Sequence, residues 1–350
     1  MRLLIAASGT GGHLFPAIAA ADQLPEHQIE WLGVPDRLET KLVPQHYPLH
    51  TITVEGFQTK LGLGSLRTLN RLANSIFYVR RLLRQENFDA VFTTGGYIAA
   101  PTILAARSLG IPVILHESNV LPGKVTRLLS RWCDVVALGF EATKSYLPMA
   151  KQTVVVGTPV RSDFLKPSQP LPFEIPEDAF LVVVVGGSQG AVAVNQLVRQ
   201  AAPSWFEAGI WVVHLTGTHD PDIDSLQHPQ YIALPFHDRM AALLNRANLA
   251  ISRAGAGTLT ELAITQTPSI LIPYPYAAED HQTYNAEIFT QAGAALMFSQ
   301  RDLTAERLNP AVFELFKSPE KLAAMTQATA SLAVTDSAKQ LADLIVEQFK

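Results

Sequence analysis

Eight short runs rich in Val, Ile and Leu constrain this chain more than any other feature. Four fall in the first half, at 3–7, 90–93, 113–116 and 135–138, and four in the second, at 181–185, 211–215, 249–252 and 269–272. An unbroken apolar run, unlike an alternating one, makes a strand covered on both faces, and helical patterns lie between these runs. The fold class expected is therefore α/β, with two Rossmann-like domains, each built on a parallel sheet. At 350 residues the chain exceeds the roughly 100–200 residues of one domain. Five prolines crowd the stretch after Gly157 (Pro159, Pro167, Pro170, Pro172 and Pro176), and no periodic segment survives there. The domain boundary is expected at its start, giving 1–160 and 161–336.

Composition narrows the class further. A net charge of −4 does not suit a nucleic-acid binder, which needs a basic surface to displace counterions. Cys133 is the only cysteine, so no internal disulfide or cysteine metal cluster is expected, and a small buried apolar role suits it. The apolar run at 3–7 is too short for a signal peptide, and no run approaches the roughly 20 apolar residues of a membrane span. A cytoplasmic protein, soluble or resting on a membrane surface, is the expectation.

Glycine-rich loops follow three of the runs. The first, Ser8-Gly9-Thr10-Gly11-Gly12-His13, is neither a dinucleotide fingerprint nor a Walker loop, because Leu14 stands where a third glycine belongs and no lysine follows. Glycines between a strand and a helix let backbone N–H groups approach an anion, usually a phosphate. His13 at the loop's end has the side chain suited to general-base work near neutrality. The second loop, Gly186-Gly187-Ser188-Gln189-Gly190, also fits the GxSxG nucleophile elbow, so a serine hydrolase using Ser188 stays open, as does a nucleotide-sugar epimerase or binding protein. The third, Arg253-Ala254-Gly255-Ala256-Gly257-Thr258, opens a helix. There Thr258 and Glu261 also match a capping box, with Thr258 as N-cap. Gln282 and Asn285, three apart, share one face of a helix whose expected N-cap is Asp280; that face either reads sugar hydroxyls or is simply solvated. Asp222-Ile223-Asp224 reads as an ordinary turn.

Six motifs together resemble the MurG family of UDP-N-acetylglucosamine-dependent transferases in bacterial peptidoglycan synthesis. They are SGTGGHLFP at 8–16, TGGYIAAP at 94–101, HESNVLPG at 116–123, GGSQGA at 186–191, SRAGAGTLTE at 252–261 and DHQTYNA at 280–286. The resemblance implies a GT-B architecture, with parallel sheets facing a cleft and a closing helix, here 337–350, packing back on the first domain. It implies an inverting transfer of N-acetylglucosamine from UDP to the 4-hydroxyl of the muramyl sugar of lipid I, an undecaprenyl-diphosphate-linked muramyl peptide, giving lipid II. On the donor side it places Arg161, Phe236 and Met240 by the uracil. Ser188, Gln189, Gly257 and Thr258 fall by the phosphates and sugar, Glu261 by the ribose, Gln282 and Asn285 by the sugar hydroxyls, and Arg253 within the same site. On the acceptor side it places Thr10, Gly11, Gly12, Gly95 and Gly96 by the diphosphate, with Tyr97, Glu117 and Asn119 beside the sugar. His13 is the preferred base and Glu117 the runner-up. No cofactor or tightly bound metal is expected, and the site of action implied is the cytoplasmic face of the plasma membrane. One departure is Thr158, where the family usually has asparagine.

A lipid-linked acceptor calls for a membrane-facing surface. Residues 66–84 carry five arginines and no acid. On a helical wheel Leu69, Leu72, Ile76, Val79 and Leu83 form the expected core stripe, leaving Phe77, Tyr78, Arg67, Arg71 and Arg81 outside it. Basic and aromatic residues off the core stripe suit an anionic bilayer.

Overall fold

The computed structural model describes residues 1–54, 63–167, 169–187 and 190–348, with side chains on the first helix after the break described from residue 68. The expected contacts Arg67, Ser188 and Gln189 lie outside the described residues. The chain divides into two compact units, Met1–Arg161 with Asp336–Lys350, and Ser162–Thr335.

In the first unit the strands are β1 (Arg2–Ala6), β2 (Gln28–Gly33), β3 (Leu49–Thr51), β4 (Ala90–Thr93), β5 (Val113–Glu117), β6 (Val135–Leu138) and β7 (Thr153–Val155). They form one parallel sheet in the order β3-β2-β1-β4-β5-β6-β7. Helices α1 (Gly11–Ala21), α2 (Glu39–Leu42), α3 (Leu63–Gln85), α4 (Ala99–Ser108) and α5 (Lys124–Leu129) join them. Because successive side chains point to opposite faces, Leu3 and Ile5 of β1 enter one core with Leu14 and Trp31. Leu4 and Ala6 enter the other, with Val79, Leu83 and Ile103. Both faces are dry, which is why this strand is apolar from Leu3 to Ala6.

The second unit repeats the plan. Strands β8 (Leu181–Val185), β9 (Trp211–Leu215), β10 (Tyr231–Leu234), β11 (Leu249–Ser252), β12 (Ser269–Leu271) and β13 (Ala295–Met297) lie parallel in the order β10-β9-β8-β11-β12-β13. Helices α6 (Val192–Glu207), α7 (Met240–Arg246), α8 (Ala256–Ile264), α9 (His281–Gln291), α10 (Ala305–Lys317) and α11 (Pro319–Ala330) cover them. Val182, Val184, Trp205, Ile251 and Leu308 are among the residues of one face's core. The closing helix, α12 (Ser337–Glu347), buries Leu341, Leu344 and Ile345 in the first unit's core beside α1.

Helix α3 corrects one expectation. Val79 and Leu83 are buried and Leu72 and Ile76 half-buried, joined by Leu82, but Leu69 is 55% exposed. At 1.5 Å per residue α3 runs about 34 Å, whereas α4, which packs on it, runs about 15 Å. The N-terminal turns of α3 therefore project beyond the helix that would bury Leu69. Phe77, 70% exposed, and Tyr78 share the outer face with Arg71 and Arg81. Among the described residues no helix is long and apolar enough to cross a membrane.

Candidate functional site

In a parallel α/β sheet, ligands bind beyond the carboxyl ends of the strands, and all the glycine loops lie there. A groove of about 740 Å³ opens instead beside the amino ends of β1 and β2, lined by Arg2, Glu30 and Tyr47 among others. There Glu30 is held by Arg2 and His50, so the groove's main charges are spent on each other.

The first loop is fixed residue by residue. The Ala6 carbonyl accepts from Thr93 Oγ1 at 2.7 Å and the Ala7 carbonyl from Trp31 Nε1 at 2.9 Å. Gly9 sits at φ +103°, a conformation that glycine adopts without strain. Thr10 caps α1, so Gly11 and Gly12 begin its first turn, where N–H groups have no partner inside the helix. His13 Nδ1 lies 2.7 Å from the Thr94 carbonyl. A carbonyl can only accept, so Nδ1 carries the proton and Nε2 of the neutral ring is left with a lone pair.

That lone pair faces the second glycine pair. Gly95 and Gly96 both have positive φ, +86° and +73°, and a Cβ on Gly96 would stand 3.6 Å from His13 Nε2. Tyr97, next in sequence, is 60% exposed. The loops after β1 and β4 thus meet at His13.

Glu117 is differently placed. Its carboxylate, nearly buried, accepts from the Asn119 N–H and Asn119 Nδ2 on one oxygen and from the Gly123 N–H on the other. It shapes the loop after β5. Neighbouring His116 is fully buried and donates from Nε2 to the Gly157 carbonyl. Burial holds its pKa below the usual histidine range. Arg161 falls in the first unit, one residue past the expected boundary, with its guanidinium 4.8 Å from the Phe15 ring centre on α1.

In the second unit, Gly187 and Gly190 have φ of +87° and +79°, and the Gly190 N–H closes a turn onto the Gly187 carbonyl. A Cβ on Gly190 would lie 2.3 Å from the Thr216 carbonyl oxygen, and one on Gly186 would lie 2.8 Å from the Ala191 nitrogen. Behind this turn sits a buried polar cluster. Asn195 donates through Nδ2 to the Thr216 carbonyl and to Asp220, and Asp220 pairs with Arg199. Since the amide nitrogen of Asn195 donates, its Oδ1 accepts from His214 Nε2, which leaves His214 Nδ1 to accept from the Tyr231 hydroxyl. Both nitrogens of His214 are spent, so it cannot be the base of a hydrolase triad.

Burial and nearby Arg199 push the His214 pKa down to about 3. An unfolded histidine binds its proton near pH 6.5. The folded-state contribution is therefore complete above pH 6.5 and is lost as pH falls below it, by about 1.4 kcal/mol per pH unit. His214→Gln keeps one donor and one acceptor but cannot titrate. Relative to wild type, its stability should gain about 2 kcal/mol between pH 7.5 and 5; chemical denaturation of both proteins at the two pH values checks this.

The third loop corrects the capping box. The N-cap of α8 is Gly255, not Thr258, because the chain turns helical at Ala256 and leaves Gly257 and Thr258 in the first turn with N–H groups outward. Glu261 lies half-buried one turn on. Asp280 does cap α9, in the left-handed region at φ +58°. The amides beyond it point inward. Gln282 Oε1 accepts from the Ala254 and Tyr274 N–H groups, and buried Asn285 donates to the Ala254 carbonyl. Arg253 is likewise turned in, bonding the Ile272 and Pro273 carbonyls and Gln300. These three residues, expected as ligand contacts, hold the Arg253–Ala254 corner from which α8 starts. Phe236 is 63% exposed and Met240 buried. Asp222 and Ser225 form the expected turn. Among the described residues no three His, Cys, Asp or Glu side chains gather so as to hold a metal ion.

Two parallel sheets with glycine loops at their carboxyl ends make two Rossmann-like units, and family comparison identifies them as the two domains of a glycosyltransferase. Residues 3–138 match the glycosyltransferase family 28 N-terminal domain and residues 181–341 its C-terminal domain. The chain belongs to glycosyltransferase family 28, and within it to the MurG group. It is 67% identical, over 99% of its length and 95% of the relative's, to the UDP-N-acetylglucosamine–N-acetylmuramyl-(pentapeptide) pyrophosphoryl-undecaprenol N-acetylglucosamine transferase of Gloeothece citriformis. A Nostoc protein of the same name is 66% identical over 99% of this chain and 98% of its own. The crystal structure of Acinetobacter baumannii MurG superposes with a TM-score of 0.78 at 30% identity, covering 99% of this chain and 100% of that one. The hydrolase and epimerase readings are not favoured.

Proposed function

We propose that this protein transfers N-acetylglucosamine from UDP-N-acetylglucosamine to the 4-hydroxyl of the muramyl sugar of lipid I, forming lipid II with inversion at the anomeric carbon. The observation that carries the site assignment is the His13 ring, whose Nδ1–H is fixed on the Thr94 carbonyl so that Nε2 presents a lone pair above Gly96. The acceptor hydroxyl gives its proton to that nitrogen as its oxygen bonds to the anomeric carbon. The bond from that carbon to the UDP oxygen breaks, and UDP leaves with the electron pair. Amides at the first turn of α1 suit the acceptor diphosphate, and those at the first turn of α8 suit the developing charge on UDP. Glu117, with three donors on its carboxylate, orients Asn119 and is not the base. Tyr97 offers an open aromatic face to the acceptor sugar. Phe236 offers one to uracil, and the amide nitrogen of Gln282 is the group left to reach a sugar hydroxyl. Transfer of labelled N-acetylglucosamine to a lipid-diphosphate muramyl-peptide analogue tests the reading; absence of a disaccharide product overturns it.

A lipid-linked acceptor calls for work at a membrane surface, and a nucleotide-sugar donor suits the cytoplasmic face of the plasma membrane. Leu69, Phe77 and Tyr78, with Arg71 and Arg81 on the same exposed arc of α3, fit an anionic bilayer surface. Phe77→Ser with Arg81→Glu should lower sedimentation with anionic vesicles by about 10-fold while turnover of a short-chain soluble acceptor persists. Unchanged sedimentation would reject this surface.

A further inference from the structure

We infer that Glu39 is a positioning residue for the transfer, holding the loop that carries His13. No part of its side chain reaches solvent, yet it stands at the start of α2, a four-residue helix outside every motif of the family resemblance. Its Oε1 accepts from Ser8 Oγ at 2.5 Å and from the Val34 N–H at 2.7 Å, and its Oε2 accepts from the Gly9 N–H at 3.2 Å. Three donors on one buried carboxylate make a satisfied and therefore rigid contact, and removing any partner leaves charge or dipole unmatched. Gly33 makes room for it, since a Cβ there would stand 2.7 Å from Glu39 Cγ.

The consequence is a division of labour along the glycine loop. Glu39 turns the Gly9 amide inward and sets a negative charge behind it, so a diphosphate is repelled from that part of the loop. The Gly11 and Gly12 amides at the start of α1 remain for the anion. By fixing Ser8 and Gly9, the same carboxylate fixes the turn that delivers His13 to the Thr94 carbonyl.

This inference rests on His13 as base, and the experiment separates the two. In Glu39→Gln the shape is kept, but with Oε1 still toward Ser8 and Val34 the new amide donor faces the Gly9 N–H, donor against donor. The kcat for lipid acceptor should fall about 10-fold or more, the scale of loss when a catalytic group shifts by a fraction of an ångström. The KM for UDP-N-acetylglucosamine should stay within about twofold, because the donor loops belong to the other unit. Gly33→Ala, which displaces the carboxylate without removing it, should lose kcat in the same way, and the double variant should be no worse than the weaker single. In a His13→Ala background Glu39→Gln should cost nothing more. Should either variant fail to fold, Ser8→Ala, which removes one hydroxyl only, should still lower kcat about threefold or more. A kcat within twofold of wild type in Glu39→Gln, or in Ser8→Ala where the others do not fold, overturns the inference. So does an undiminished Glu39→Gln loss in the His13→Ala background. Near-wild-type turnover by His13→Ala instead overturns the base assignment, whatever Glu39→Gln does.

Discussion

Replacing His13 with alanine should lower transfer from UDP-N-acetylglucosamine to lipid acceptor by about 100- to 10,000-fold, the span expected for loss of a positioned general base. UDP binding, measured by calorimetry, should remain within about twofold of wild type, since the glycine loops at 186–190 and 253–258 are untouched. The reason lies in one hydrogen bond. With Nδ1–H committed to the Thr94 carbonyl, the imidazole cannot swap tautomers without losing that bond, so Nε2 stays the accepting atom. His13→Gln would place an amide where the lone pair was, and it too should be nearly inactive because an amide is no base at neutral pH. Retention of more than about a tenth of the wild-type rate in His13→Ala would point to water or Glu117, and Glu117 would first have to release three donors.

Gly190→Ala should remove UDP-sugar binding and lower the stability of the second unit by about 3 kcal/mol or more. Two costs add. At φ +79° an L side chain is strained by roughly 1–2 kcal/mol. The added Cβ would also stand 2.3 Å from the Thr216 carbonyl oxygen, far inside contact distance, so β9 and the loop must part. Thr216 is itself tied through Asn195 to Asp220, Arg199 and His214, and the displacement spreads into a buried polar cluster that tolerates little misfit. Calorimetric UDP titration and chemical denaturation check this. As a control, Gly209→Ala has a similar φ, +82°, but no heavy atom within 4 Å of the new Cβ. It should cost only the backbone strain and leave UDP binding intact.

The strands legible in the sequence are the inner ones. The eight apolar runs became β1, β4, β5 and β6 in one sheet and β9, β8, β11 and β12 in the other, each a contiguous block. The strands without such a run lie at the margins: β3, β2 and β7, and β10 and β13. The outermost strands are shielded less completely, as the half-buried and exposed positions of β3, β7, β10 and β13 show, and in β2 the buried Glu30 is admitted because Arg2 and His50 pair with it, so the apolar signal breaks up. The caps show a similar limit. Asp280 was readable as the start of α9, whereas Thr258 and Glu261 carry a capping-box spacing that α8 does not use, because it begins earlier, at Gly255.

The sequence by itself determined the α/β class, the two-sheet plan, the glycine loops and the family, because runs of strand residues and glycine spacings are local and survive in the order of the chain. Tertiary structure alone decided what the polar side chains at those loops do. Gln282, Asn285 and Arg253 turn inward to hold a corner, Glu117 spends its carboxylate on its own loop, and Glu39, silent in the sequence, grips Ser8 and Gly9 from 31 and 30 residues away. A carboxylate or amide will accept or donate to whatever folding brings within about 3 Å. Its role is set by partners distant in sequence, and spacing along the chain carries no record of them.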